Sequence, residues 1–259
     1  MSLRQTTREI IARVEQVSGM PVYVTQNVNL PTLASVQMAR GTMPAHVVTY
    51  KPSAGEPPDY LIVFECGFIL RHFANAPEDR VDITSTEQGR DDLMRLLQAP
   101  DGSARRHKLG ATETEQLGRQ LLDGLLIHLR SVPIGLRVGT WIRNEYSEFH
   151  DLQHAQVLKE LEINRQTLQR EIREMMPDRV YFATLAINAA FALFWAQVYD
   201  DPDLTAGFRT GKEEQAGRAL LKLWNDTPDI SSYDSELIDA WGAKLGLTDW
   251  YRWIPYHPA

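Results

Sequence analysis

The sequence predicts an α+β fold, in which a small N-terminal sheet and one apolar helix precede a mainly helical C-terminal half. Segments that are rich in β-branched residues and alternate in polarity lie within residues 21–52. Nearly every segment after residue 85 repeats its apolar residues at helical spacing. The 259 residues, 43% of them apolar, suffice for one domain with a sizeable core, divided into residues 1–98 and 99–259.

The N-terminal elements follow from apolar spacing and from residues that break helices. Helical spacing predicts a helix over residues 3–17, which Gly19 ends. Three strands are predicted next, at 21–26, 34–41 and 45–52. Pro58 suits the start of a strongly apolar helix over 59–73, and residues 75–84 are predicted to form a connection.

The C-terminal half is predicted to consist of helices followed by an irregular tail. The predicted helices cover 86–98, 112–131, about 136–149, 151–176, 178–199, 213–225 and 233–246. The tail, residues 248–259, is aromatic and contains prolines. We therefore expect the tail to pack back against the body of the protein without regular structure.

The composition narrows the classes of function. A net charge of −7 disfavours a nucleic-acid binder or a protein that binds anionic membranes. The single cysteine, Cys66, excludes an intramolecular disulfide. The chain opens without the charged and apolar regions of a signal peptide, which predicts a cytoplasmic protein. The apolar segment 181–198 contains Asn188 and Gln197, so we expect a buried helix and not a membrane span.

A five-residue motif, FECGF at residues 64–68, lies inside the predicted apolar helix. Zinc peptidases place His-Glu-x-x-His on a helix, because positions i and i+4 share a face and both imidazoles reach one zinc ion. The glutamate between them polarises the zinc-bound water. Here Glu65 takes the glutamate position, whereas Phe64 and Phe68 take the two ligand positions. A phenyl ring has no lone pair for zinc, so we expect no zinc and no other cofactor.

The segment PDYLIVFECGFILRHF resembles the motif helix of zincin metallopeptidases of the gluzincin kind, with a degenerate motif. The resemblance covers this motif and the order of elements over roughly residues 1–80. It implies that Glu65 is a vestigial general base. It also implies a third-ligand position in the helical half, with candidates at Glu145 and Glu148 and at the i,i+4 pair His150 and His154.

The resemblance further implies that the strand before the motif helix lines a substrate groove. An edge strand presents free N–H and C=O groups, which can pair with an extended peptide. The predicted binding edge consists of His46, Val47, Val48, Thr49 and Tyr50. A peptide or a protein is therefore the expected partner, and the sequence leaves the oligomeric state open.

Two zincin-based functions and a simpler interpretation follow from the motif. We favour an inactive zincin-like homologue that acts as a binding or regulatory protein, because two phenyl rings would fill the volume of the lost metal site. An active metallopeptidase with metal ligands elsewhere is the alternative. In the simplest interpretation, Phe64 and Phe68 are ordinary core residues and Glu65 pairs with an arginine.

A DNA-binding regulator is a further hypothesis. Residues 154–176 resemble the helix-turn-helix of the Fis-type DNA-binding family, which implies that Asn164 is an N-cap and that Arg165 opens a recognition helix. Glu162 stands where that family has a glycine in a left-handed turn. One continuous amphipathic helix is the favoured interpretation of this segment, and it disfavours nucleic acid as a partner.

Overall fold

The computed structural model describes residues 3–53, 55, 57–103, 107–208 and 211–256, so residues 257–259 of the predicted tail lie outside it. Within these ranges, nine α-helices and five strands confirm the α+β class. The helices are α1 (Gln5–Ser18), α2 (Asp59–Phe73), α3 (Glu87–Gln98), α4 (Ala111–Glu145), α5 (His150–Gln166), α6 (Arg170–Met175), α7 (Asp178–Tyr199), α8 (Lys212–Asp226) and α9 (Asp234–Lys244). The strands are β1 (Val22–Gln26), β2 (Ala34–Gln37), β3 (His46–Tyr50), β4 (Val81–Ser85) and β5 (Tyr251–Pro255).

Strand β3 is the central strand of a three-stranded sheet with the order β1-β3-β2. Strand β1 pairs with it in parallel and β2 in antiparallel fashion, so that Val48 lies between Val24 and Val36. The prediction that His46, Val47, Val48, Thr49 and Tyr50 form a binding edge is therefore wrong. A strand that is paired on both sides has no row of free backbone groups to offer to a peptide.

A second sheet, formed by β4 and β5, joins the two halves of the chain. The strands pair in antiparallel fashion, with Val81 opposite Pro255 and Ser85 opposite Tyr251. The predictions of a connection at 75–84 and of an irregular tail are wrong at these strands. Each strand is only five residues long, and the pairing partner lies at the other end of the chain, so the local pattern carries little signal.

Helix α4 continues through Pro133, where the sequence predicts a break between two helices. Proline removes a backbone N–H donor and disfavours a helix interior. Pro133, Ile134 and Leu136 are all buried, and the Pro133 carbonyl accepts a hydrogen bond from the Trp224 indole at 2.9 Å. Packing against neighbouring elements therefore overrides the local preference.

The segment predicted as one helix over 151–176 is broken between α5 and α6. Residues 167–169 form a turn, in which the Leu168 N–H donates to the Arg165 carbonyl at 3.0 Å. The Thr167 hydroxyl donates to the Asn164 carbonyl at 2.6 Å. Such side-chain bonds compete with the backbone pattern of a helix, which accounts for the break.

Helix α2 lies in the core and packs closely against α4. Ile62, Cys66 and Ile69 are fully buried. A side chain at position 67 would collide with Val138 of α4 and would come within 3.4 Å of Trp141. Gly67 therefore allows the two helices to approach closely, which fixes the direction in which the motif residues point.

Helix α7 is long and apolar enough to cross a membrane, with a mean hydropathy of 1.4 over its most apolar window. Within the structure, 72% of that window is buried, and Ala186, Ile187 and Asn188 are completely inaccessible. The side chain of Asn188 donates to the Thr167 hydroxyl at 3.2 Å. The helix thus has the burial that the sequence predicts for a core helix.

Candidate functional site

The two aromatic residues at the ligand positions pack against each other and against α4. The ring centroids of Phe64 and Phe68 lie 5.3 Å apart at an interplanar angle of 81°. Both rings point at Gly135: a Cβ atom built there would lie 3.1 Å from Cζ of Phe64 and 3.6 Å from Cζ of Phe68. The rings thus rest on the bare backbone of α4, and both remain partly exposed.

The proposed third-ligand residues lie away from this aromatic pair. Glu145 is ten residues beyond Gly135 in α4, which corresponds to about 15 Å along the helix axis. Its side chain is exposed, as is that of Glu148, whose backbone carbonyl accepts a hydrogen bond from Arg4 at 2.7 Å. Among the described residues, no group of three or more His, Cys, Asp or Glu side chains could hold a metal ion.

Glu65 is buried on a different side of α2 from the aromatic pair. Only 7% of the residue is exposed. Burial, together with the negative charge of Glu160 in α5, raises the pKa of Glu65 to about 8. A carboxyl group with this pKa is mostly protonated at neutral pH, so it lacks the charge that a general base needs.

The surroundings of Glu65 are polar but enclosed. Tyr60 is buried, forms a hydrogen bond with Gln153, and has a raised pKa mainly because of its burial. The Gln153 amide also donates to the Gly139 carbonyl at 2.9 Å. Burial raises the pKa of the Cys66 thiol to about 12, so Cys66 is no activated nucleophile. The cluster therefore joins helices and has the character of a polar core.

A cavity of about 480 Å³ lies beside Phe68, and we call it the Phe68 cavity. Helices α2 and α4 supply one part of its wall, including Phe68, Arg71 and Arg130. The segment 231–239 and Trp253 of β5 supply another part. Its volume falls within the range of about 300–1,000 Å³ that is typical of ligand pockets.

Arg71 of α2 connects two parts of the cavity wall. The Arg71 guanidinium donates to both oxygens of Asp234, with Nε–Oδ2 and Nη2–Oδ1 distances of 2.6 and 2.7 Å. Its third nitrogen donates to Asp229 at 2.7 Å. These hydrogen bonds raise the pKa of Arg71 despite its partial burial. A bidentate pair of this kind fixes the segment that starts α9 against α2.

His72 also borders the Phe68 cavity. Its ring meets Tyr256 edge to face, with centroids 4.5 Å apart. Burial, followed by the positive charges of Arg130 and Arg80, lowers the pKa of His72 to about 4. The imidazole is therefore neutral at physiological pH, and its buried Nε2 has no hydrogen-bond partner among the described residues.

A second, smaller cavity of about 390 Å³ includes the histidine pair of the sequence. His150 Nε2 donates to the Arg143 carbonyl at 2.8 Å, so that nitrogen carries a proton and is not available to a metal. His154 meets the ring of Tyr199 edge to face, with centroids 4.6 Å apart. The pair is therefore engaged with neighbouring protein groups.

The predicted turn of a helix-turn-helix does not occur at residues 162–164. Helix α5 runs through Glu162 and Asn164 to Gln166, so the predicted turn and N-cap positions are helical. Asn164 is buried, and Arg165 donates to the carbonyls of Leu204 and Ala206 at 3.4 Å each. The six-residue α6 begins five residues later than the predicted recognition helix.

No family model, curated protein or solved structure matches this chain. The cavity residues contributed by α9 and β5 were not among the candidates that the sequence suggests. The only local signal is the polar run SSYDS at 231–235, which is typical of a turn. Arg71 follows the motif on the same helix, and its partner Asp234 lies 163 residues further along the chain, so no local pattern links the two.

Proposed function

We propose that the protein is a binding protein with a zincin-like plan and a degenerate motif, and that it catalyses no zinc-dependent hydrolysis. The contact of Phe64 and Phe68 with Gly135 carries this proposal. Both ligand positions hold phenyl rings, and these rings pack against a backbone that has no side chain in the way. Such packing favours a site that has been rebuilt around aromatic residues.

The state of Glu65 supports the same function. A zincin glutamate must be ionised and must reach a water molecule on the metal. Glu65 is buried beside another carboxyl group, Glu160, and its pKa of about 8 keeps it mostly protonated. Its position in the sequence is that of a general base, whereas its surroundings suit a neutral core residue.

The Phe68 cavity is the place where we propose that a peptide or protein segment binds. Phe68 of the motif forms part of the cavity wall, and the lining also contains hydroxyl, carboxylate and guanidinium groups. The hydroxyl of Ser231 donates to the Asn75 side chain at 2.8 Å. A concave site with apolar walls and a few oriented polar groups is typical of ligand recognition.

Zinc content and hydrolysis test this proposal directly. Purified protein, stripped with a chelator and dialysed against zinc, should hold well under one zinc per chain and should cleave no member of a mixed peptide library. One tightly held zinc per chain, together with hydrolysis that a chelator abolishes, would refute the proposal. That result would instead favour an active metallopeptidase with ligands elsewhere.

Restoring the two histidines gives a sharper test of the geometry. Because Glu145 lies about 15 Å along α4 from the aromatic pair, Phe64→His with Phe68→His should not create a zinc site that depends on Glu145 or Glu148. Zinc titration of the double variant, with and without Glu145→Gln, measures this dependence. Tight binding that Glu145→Gln abolishes would contradict the arrangement of α2 and α4 described above.

A further inference from the structure

The charges that line the Phe68 cavity are unequal. Four carboxylates, Glu78, Asp79, Asp234 and Asp239, face two guanidinium groups, Arg71 and Arg130. Arg71 is already paired with Asp234. Arg130 donates at 2.6 Å to Asp82, which lies outside the lining and also pairs with Arg40 at 2.7 Å.

Three carboxylates of the lining form no ion pair within the part of the chain that the structure describes, and Arg80, which follows Asp79 in the sequence, donates to the backbone carbonyls of Asn75 and Phe73. Among the described residues, Glu78, Asp79 and Asp239 form no ion pair with an arginine, a lysine or a histidine. All three are exposed at the rim of the cavity. The charge that the lining leaves uncompensated is therefore negative, which attracts a cation and repels an anion.

One of these carboxylates is held in a fixed orientation. The Tyr251 hydroxyl and the Trp253 indole N–H both donate to Oδ1 of Asp239, at 2.9 and 3.0 Å. Both donors use the same oxygen, so Oδ2 remains available to a ligand. A carboxylate that is oriented before binding loses little conformational entropy when a ligand donates to it.

Aromatic rings complete the lining. Phe68 from α2 and Trp253 from β5 both border the cavity, and both are partly exposed. The face of an aromatic ring attracts ammonium and guanidinium groups, and tryptophan does so most strongly. Carboxylates at the rim and aromatic rings in the wall together suit an organic cation better than a bare metal ion or an anion.

We infer that the Phe68 cavity binds the guanidinium or ammonium group of a basic side chain, presented by a peptide partner. The choice of a peptide as the source of the cation rests on the proposed function. Asp239 Oδ2 accepts a hydrogen bond from the bound group, Phe68 and Trp253 contact the cation and the apolar stem that carries it, and Glu78 and Asp79 raise the local concentration of the cation at the rim. The Arg71–Asp234 pair holds the wall and does not itself bind the ligand.

Calorimetric titration of the full chain with three probes tests the inference. The probes are a capped pentapeptide with one central arginine among glycines, the same peptide with uncharged citrulline, and agmatine, which is a free guanidinium compound. The arginine peptide should bind about tenfold more tightly than the citrulline peptide, because only its side chain is charged. Equal affinities for these two peptides would overturn the inference.

Matched variants locate the binding. Asp79→Asn with Asp239→Asn should weaken binding of the arginine peptide about five- to tenfold, while keeping an acceptor oxygen at residue 239. Asp91→Asn with Asp123→Asn removes the same charge from exposed positions on α3 and α4, and should change the affinity less than twofold. If both pairs of substitutions have the same effect, the cavity is not the binding site and the inference fails.

The probes also separate the source of the cation from the proposed function. Agmatine binding as tightly as the arginine peptide would keep the cation site and overturn the peptide as its source. A protein that neither holds zinc nor hydrolyses peptides, and that shows no preference for arginine, overturns this inference alone. Zinc-dependent hydrolysis would overturn the proposed function, whatever the affinity for arginine.

Discussion

Two surfaces of helix α2 have opposite characters, although they start from adjacent residues. Phe64 and Phe68 face α4 and remain partly exposed, and Phe68 borders an open cavity with an acidic rim. Glu65, about 100° further around the helix, is buried towards α5. In a zinc peptidase, the two histidines at these positions bind one zinc ion, and the glutamate polarises the water on that ion. Here Glu65, at the position of the general base, lies where water is excluded, and the exposed side of α2 carries phenyl rings that cannot bind a metal ion.

The two sides of α2 therefore depend on different interactions. On the buried side of α2, stability depends on the protonation of the Glu65 carboxyl group. On the cavity side, stability depends on ion pairs between distant segments. Substitutions on each side should therefore respond to different conditions. Changes on the Glu65 side should be sensitive to pH, and changes on the Arg71 side should alter the cavity wall.

Replacement of Glu65 by glutamine should give the largest effect, and the effect should depend on pH. The folded-state pKa of about 8 lies above the unfolded value of 4.5, so the unfolded chain releases a proton that the folded protein keeps. Stability from this group is complete below pH 4.5 and is lost as pH rises towards 8, by at most about 1.4 kcal/mol per pH unit. Glu65→Gln should remove much of this loss and should be the more stable protein near pH 8.

Urea unfolding between pH 5 and 8 measures this difference. Glu236→Gln, at an exposed position of α9, is the matched control and should leave the slope of stability against pH as it is in the unmodified protein. A Glu65→Gln protein with the same slope of stability against pH as the unmodified protein would show that Glu65 is ionised in the fold.

Removal of the partner of Arg71 should have the next largest effect. The side chains of Arg71 and Asp234 are only 16% and 20% exposed, so Asp234→Ala leaves a guanidinium group short of two acceptors at a cost of about 2–3 kcal/mol. Asp226→Ala breaks an exposed pair with Lys222 and should cost no more than about 0.5 kcal/mol. Thermal unfolding of both variants measures the contrast.

Burial raises the pKa of Asp234, so Asp234→Ala changes the dependence of stability on pH through the loss of its own titration. A double-mutant cycle at pH 8 is therefore the second readout: Glu65→Gln should change the free energy of unfolding equally with and without Asp234→Ala. Unequal changes would mean that the two sides of α2 are coupled, and the contrast drawn above would not hold.

The smallest of the three effects is expected where α2 touches α4. Gly67→Ala places a methyl group against Val138, and overpacking of this kind costs about 1–3 kcal/mol. Gly124→Ala in α4 meets nothing within 4 Å and should stabilise the helix by about 0.5–1 kcal/mol. Chemical unfolding of the two variants should therefore show shifts of opposite sign, and shifts of equal sign would contradict the close approach of these helices.

Much of the helical structure follows from local spacing. The predicted helices at 59–73 and 178–199 coincide with α2 and α7, because long apolar segments with the right period leave few alternatives. The break that Pro133 predicts does not occur, and the break at 167–169 is not predicted. The unbroken helix depends on a distant contact, the Trp224 indole at the Pro133 carbonyl. At the break, the local bond from Thr167 to Asn164 is joined by the Asn188 amide of α7, which donates to the Thr167 hydroxyl.

The sequence by itself determined the α+β class, the apolar motif helix, and the lack of metal-binding atoms at Phe64 and Phe68, since these follow from residue type and local period. The tertiary structure alone decided that β3 is central, that Glu65 is buried beside Glu160, and that Arg71 meets Asp234. Local spacing shows which face of an element is apolar but not which distant segment covers it. The strand order, the pKa of Glu65 and the lining of the Phe68 cavity all depend on which distant segment covers each face.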